Sequence, residues 1–96
     1  MELEFEGDVI EWRGPAPYYY LVVPDDESDD ISAVKQDFTY GWGVIPVTCR
    51  VGGTMWTTSL FPKDGRYLVP LKDAVRNEAG IEPGDHLDVW MRLGRD

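Results

Sequence analysis

The chain has 96 residues, a formal net charge of −9, 43% apolar and 12% aromatic residues, and one cysteine, Cys49. That length holds one core, so one domain is expected over residues 1–96, and no apolar run approaches the ~20 residues a membrane helix needs. A lone cysteine excludes an internal disulfide, and the acidic, alternating start is unlike a signal peptide, so a cytoplasmic protein is expected.

Eleven of the acids lie in residues 1–48 against only Arg13 and Lys35, whereas residues 49–96 hold seven charges of each sign. An anion site therefore belongs on the second half, and the first half repels nucleic acid and membrane surfaces.

Glu2 to Trp12 reads as a strand in which Leu3, Phe5 and Val9 share one parity and Glu2, Glu4, Glu6 and Asp8 the other. The apolar parity then passes to Ile10 and Trp12, which predicts a β-bulge near Gly7. Arg13 to Pro17 is a loop, since two prolines and a glycine continue neither ladder nor helix. Tyr18 to Val23 is a second strand whose near-continuous apolar run predicts burial on both faces, with Pro24 ending it. Asp25 to about Gln36 predicts a helix with Ile31 and Val34 as its apolar side, and the carboxylates crowding its start complement the helix dipole. Asp37 to Gly43 is an aromatic, glycine-punctuated connection.

Val44 to Phe61 is the clearest stretch: two β-prone runs joined by Gly52-Gly53, the signature of a hairpin with a type I′ turn. The implied pairs are Val51 with Thr54, Cys49 with Trp56, Val47 with Thr58 and Ile45 with Leu60. This sets Ile45, Val47, Cys49, Val51, Trp56 and Leu60 on one face. Pro46, Thr48, Arg50, Met55, Thr57 and Ser59 take the other. Pro62 to Arg66 is a turn with Asp64-Gly65 as its tight point, and Tyr67 to Val69 a short strand stopped by Pro70. Leu71 to Ala79 predicts a helix ended by Gly80 in the left-handed conformation, with Ile81 folding back on Val75. After the turn Glu82 to Asp85, the last strand sends Leu87, Val89, Met91 and Leu93 one way and His86, Asp88, Trp90 and Arg92 the other.

Tyr19-Tyr20-Leu21-Val22-Val23-Pro24 before the first helix echoes Tyr67-Leu68-Val69-Pro70 before the second. The reading is two β-β-α-β halves related by an approximate twofold: a mainly β fold with two short helices, closing one barrel of about six strands. Because the twofold lies within one chain, a monomer is expected.

Candidates for chemistry are few. His86 is the only histidine and has no nucleophile elbow to serve, although Ser59 and Asp85 or Asp88 would supply a triad if the fold gathered them. Cys49 falls on the apolar hairpin face, as a buried inert thiol. Asp25, Glu27 and Asp29 have the opening spacing of a calcium loop, but Asp30 and Gln36 stand where glycine and glutamate belong. No metal or cofactor is expected. Most of the aromatic residues are assigned to the core, with Trp90 partly exposed. The polar hairpin face, extended by Lys63 and Arg66, offers hydroxyl and guanidinium groups for an anionic or peptide ligand. Arg50, Trp56, Thr57, Ser59, Arg66 and Arg76 are the candidate ligand-binding residues.

Tyr67-Leu68-Val69-Pro70 through Leu93 is similar to the strand–Pro–helix–Gly–Ile–x–x–Gly–Asp–strand pattern of AbrB-type swapped-hairpin domains, which bind DNA as dimers. Over nearly its full length the chain resembles the bacterial domain of unknown function 1905 family. Phe5, Gly7, the Leu21–Pro24 strand end, Pro46-Val47, Gly53, Trp56 to Leu60, Pro62, Gly65, Tyr67, Arg76, Gly80 and Gly84-Asp85 carry that resemblance. It implies a cytosolic, double-split β-barrel capped by helices and supplies no reaction. The expected function is a non-catalytic module for a small ligand or protein partner, with no nucleic acid and no membrane. An AbrB-type DNA-binding regulator is the alternative, and an enzyme of unrecognised chemistry the second.

Overall fold

The computed structural model of the chain describes residues 1–12, 18–38 and 45–94. Its elements run β1 (Glu2–Trp12), β2 (Tyr18–Val22), α1 (Asp25–Phe38), β3 (Ile45–Val51), β4 (Thr54–Lys63), β5 (Arg66–Leu71), α2 (Asp73–Ala79) and β6 (His86–Leu93). The expected loop Arg13 to Pro17 and the connection beyond Phe38, with Tyr40, Trp42 and Val44, lie outside the described residues.

Six antiparallel strands close a barrel in the order β1-β2-β5-β4-β3-β6, with β6 returning to β1. Exchanging the halves, so that β1, β2 and β3 become β4, β5 and β6, leaves every neighbour pair unchanged. The connectivity therefore has the twofold that the β-β-α-β repeat implies. Two strands turn corners. β1 pairs with β6 through Glu2 to Asp8 and with β2 through Val9 to Trp12. Its counterpart β4 pairs with β3 through Thr54 to Leu60 and with β5 through Phe61 to Lys63. The barrel is thus two sheets sharing β1 and β4: sheet A adds β6 and β3, and sheet B adds β2 and β5.

The pleat sends Phe5, Val9, Leu21, Val47, Val69 and Met91 inward, and all are buried in one core cluster. Gly7 stands at the β1 corner, where a Cβ would lie 2.6 Å from the Val22 carbonyl oxygen and 2.9 Å from Leu21 Cδ1. Only glycine lets the two backbones approach this closely. The expected bulge is absent: the register with β6 and then β2 runs without an extra residue. Alternation therefore continues, and Ile10 and Trp12 point outward, 37% and 43% exposed. Nor is β2 buried on both faces, for Leu21 is buried while Tyr18 is 59% exposed.

The hairpin register matches the expectation at all four implied pairs. Its turn differs. Only Gly52 has positive φ, 58°, the requirement of type II′ rather than type I′. The two-residue turn with both φ values positive is Asp64-Gly65, at 51° and 79°, joining β4 to β5. β4 accordingly runs on to Lys63, beyond the expected stop at Phe61. Pro70 does not stop β5. It pairs with Tyr20 on one side, and on the other the pairing with β4 has ended at Leu68, so the ladder loses no donor there. Leu71 consequently belongs to β5, and α2 starts at Asp73. α2 ends as expected, Gly80 at φ 67° and ψ 34°, with the Ile81 N–H donating to the Arg76 carbonyl at 2.9 Å. Pro83-Gly84, with Gly84 at φ 90°, forms the following turn.

α1 runs two residues beyond Gln36 and rests on β5 and β3, whereas α2 rests on β4. Ser28 fixes α1: its buried hydroxyl donates to the Val23 carbonyl at 3.1 Å and accepts from the Tyr67 N–H at 3.3 Å. No described helix is long and apolar enough to cross a membrane.

Candidate binding surfaces

The outer face of sheet A is built from the even-numbered residues of β1 and β6. Glu2 stands opposite Arg92, Glu4 opposite Trp90, Glu6 opposite Asp88 and Asp8 opposite His86. Trp90 is held in place: its indole N–H donates to Glu2 at 3.0 Å, and Arg50 and Arg92 lie over its ring at 5.2 and 5.7 Å. It is half-buried, partly exposed as expected. His86 lies 2.6 Å from Asp8 and 3.4 Å from Glu6, and the Asp8 hydrogen bond, with both carboxylate charges, raises its pKa above 6.5. A hollow of about 550 Å³ is lined here by Glu4, Glu6, Asp88, Trp90 and Arg50. Three carboxylates around one guanidinium make it a poor seat for an anion.

Thr57 and Ser59 share a separate hollow of about 420 Å³ with Pro46, Thr48, Thr58 and Gly94, lined by hydroxyl groups and, among the described residues, by no cation. Thr48 is itself buried, contrary to its expected place on the open face. Ser59 pairs with Pro46, next to the Val47–Leu93 pair, so it lies at the Leu93 end of β6. His86 begins that strand, seven residues away, about 23 Å at strand rise. The triad arrangement does not form.

The other candidate residues lie apart. Arg66 is bound to Asp25 of α1 at 2.6 Å. Arg76 sits on α2, paired with Asp73, its guanidinium 3.7 Å above the Tyr19 ring. Trp56 turns inward against the core. The indole N–H of Trp56 and Nε of Arg76 are buried without a hydrogen-bond partner among the described residues. The six candidates therefore divide into a hydroxyl pair, Thr57 and Ser59, and four residues in separate surroundings. Cys49 is fully enclosed, and burial pushes its thiol up to about 12, so it keeps its proton.

Sheet B presents the opposite outer face. Register places Ile10, Tyr20 and Pro70 in one row and Val22, Leu68 and Phe61 in the next, with Trp12 and Tyr18 paired beyond Ile10 and Tyr20. Tyr18, Tyr20 and Phe61 follow one another at centroid distances of 6.4 and 6.1 Å, and Phe61 is 50% exposed. The Lys63 ammonium lies 3.8 Å above the Trp12 ring. Ile10, Trp12, Val22, Leu68, Lys63 and Arg66 line a hollow of about 380 Å³. A second, about 540 Å³, lies between Tyr18, Tyr19 and Pro70 and the start of α2. The aromatic residues are thus not mainly core: among those described, only Phe5 and Tyr67 are buried. Sequence reasoning missed this surface by giving Ile10 and Trp12 the inward parity; unbroken alternation from Leu3 would have found it.

No curated protein matches the chain. The family model described as domain of unknown function (DUF1905) matches residues 5–91, from the middle of β1 to the inward Met91 of β6. The match takes in both corner strands, both helices and both outer faces, and the chain belongs to this family.

Proposed function

We propose that the domain is a non-catalytic binding module, acting as a monomer, that receives a protein partner on the outer face of sheet B. One observation carries this reading: Trp12, Tyr18 and Phe61 stay 43%, 59% and 50% exposed on one sheet face. Large rings left in water contribute little to folding, and aromatic side chains are the residues that anchor protein contacts. The acidic outer face of sheet A opposes nucleic acid and anionic membranes, in keeping with the net charge. Arg50, Thr57 and Ser59 flank this surface along the hairpin without forming one site.

The test is a selection from a displayed random-peptide library, run on the wild-type chain and on a Tyr18→Ser/Phe61→Ser variant. Ligands enriched on the wild type are expected to lose binding about tenfold or more on the variant while its melting temperature holds. Ligands indifferent to the two substitutions would remove sheet B from consideration.

A further inference from the structure

The occupant of the sheet B face follows from what the fold forbids and what surrounds the face. Strand addition needs a long open sheet edge, whereas the ring β1-β2-β5-β4-β3-β6 is closed and leaves only short stretches paired on one side, such as Val69 to Leu71 of β5 and Ile10 to Trp12 of β1. Insertion of an amphipathic helix needs one long apolar groove. Here the apolar space is divided into hollows of about 380 and 540 Å³, with exposed rings between and beside them. What remains among the common modes is a ligand that lays small rigid rings against aromatic faces.

A polyproline II segment does this. It has no internal hydrogen bonds to protect, loses little entropy on docking, and rises about 3.1 Å per residue. Neighbouring rings in the Tyr18, Tyr20 and Phe61 group lie 6.4 and 6.1 Å apart, close to the length of two residues of such a ligand.

Charge sets what flanks the prolines. Arg66 lines the hollow beside Ile10 and Leu68, and its guanidinium is bound to Asp25 at 2.6 Å. The first turns of α1 therefore stand at the rim, and Asp26, Asp29 and Asp30 there are exposed. The two cations at this end are already engaged, Lys63 with Trp12 and Arg66 with Asp25, while Lys72 lines the other hollow, beside Tyr18. A basic residue at this end of the ligand meets carboxylates, whereas a phosphate backbone meets repulsion.

We infer that the sheet B face binds a proline-rich segment in the polyproline II conformation, with an arginine or lysine directed at the acidic start of α1. The inference rests on the proposed protein-binding role of this face and specifies its ligand.

The test titrates the 96-residue chain with a synthetic peptide of three Pro-Ala-Pro repeats ending in two arginines, followed by NMR shifts and Trp12 indole fluorescence. Saturable binding is expected, with shifts confined to Trp12, Tyr18, Tyr20, Phe61 and the start of α1. Replacing proline by glycine in the peptide should weaken it about tenfold, as should Tyr18→Ser with Phe61→Ser in the protein. Asp26→Asn with Asp29→Asn should weaken the arginine-ended peptide about threefold and leave an alanine-ended one unchanged. Absence of saturable binding, or equal binding of the glycine peptide, overturns the inference. So does a stronger, Tyr18- and Phe61-dependent response to an oligo-dT strand or to self-association in sedimentation. If this peptide fails while library-selected ligands still depend on Tyr18 and Phe61, the ligand class falls and the surface stands. If those ligands are indifferent to both residues, the surface falls as well.

Discussion

Sheets A and B share two strands and one core, yet their outer faces have opposite chemistry. Sheet A carries Glu2, Glu4, Glu6 and Asp8 against His86, Asp88, Trp90 and Arg92, where Glu2 holds Trp90 and Asp8 and Glu6 hold His86. Sheet B carries Ile10, Trp12, Tyr18, Tyr20 and Phe61. The change occurs within β1, at Gly7, where the strand leaves β6 for β2. A fold that treated the two sheets alike would have made both faces polar. The inner faces obey packing and the outer faces do not, so the outer difference points to use rather than to stability.

That contrast is broken most severely from inside. Leu21→Ala in sheet B and Met91→Ala in sheet A, both fully buried, should each cost about 2–5 kcal/mol in denaturant unfolding. Markedly unequal losses would show that the sheets do not share one core. Gly7→Ala acts on the joint between the faces. Its new Cβ meets a backbone carbonyl oxygen, and about 1–3 kcal/mol should be lost, with hydrogen exchange rising first around Val22. Next comes the hairpin turn of sheet A. Gly52→Val forces a β-branched residue to positive φ and should cost roughly 1 kcal/mol or more, with Gly53→Val distinctly milder. Equal effects would restore the type I′ assignment.

The outer faces sharpen the comparison through small numbers. Tyr18→Ser and Phe61→Ser should each cost no more than about 1 kcal/mol, because half or more of each residue already lies in water. A large loss would make the sheet B face part of the fold. On sheet A, the Asp8 hydrogen bond and the neighbouring carboxylates raise the His86 pKa. The linked stabilisation is complete below the unfolded value of about 6.5 and is lost as pH rises through the higher folded value. His86→Ala should therefore lower the melting temperature slightly more at pH 6 than at pH 8; the reverse order would contradict the ion pairing at Asp8.

The β-β-α-β repeat, the hairpin register and the Gly80 cap were legible because each follows from local periodicity or from a residue with a backbone preference. What misled were residues whose meaning depends on neighbours distant in sequence. Gly7 is small because Val22 passes behind it, not because the strand bulges. Pro70 sits inside β5 because β4 has already left that edge. Ser28 looks like one more polar residue in an acidic helix, yet it fastens α1 to Val23 and Tyr67. Of the ligand-binding candidates, Arg50, Thr57 and Ser59 were drawn from one polar hairpin face extended by Lys63 and Arg66, but β4 passes from one sheet to the other. It therefore leaves Thr57 and Ser59 on sheet A and carries Lys63 to Trp12 on sheet B.

The strand order that survives exchange of the halves has a consequence for where the polypeptide needs to begin. Leu93 donates its N–H to the Met1 carbonyl at 2.9 Å, so the first and last described strands already meet. Cutting at Gly52-Gly53 and joining Gly94 to Met1 through a few residues gives a circular permutant. It reads β4-β5-α2-β6-β1-β2-α1-β3, again two strands, a helix and a strand, twice over. The β3–β4 hairpin and the β6–β1 closure merely trade places as the near and the distant pairing. The average sequence separation of contacts changes little, and with it the folding rate that topology sets. Such a permutant should fold at nearly the native speed, and both outer faces should re-form intact.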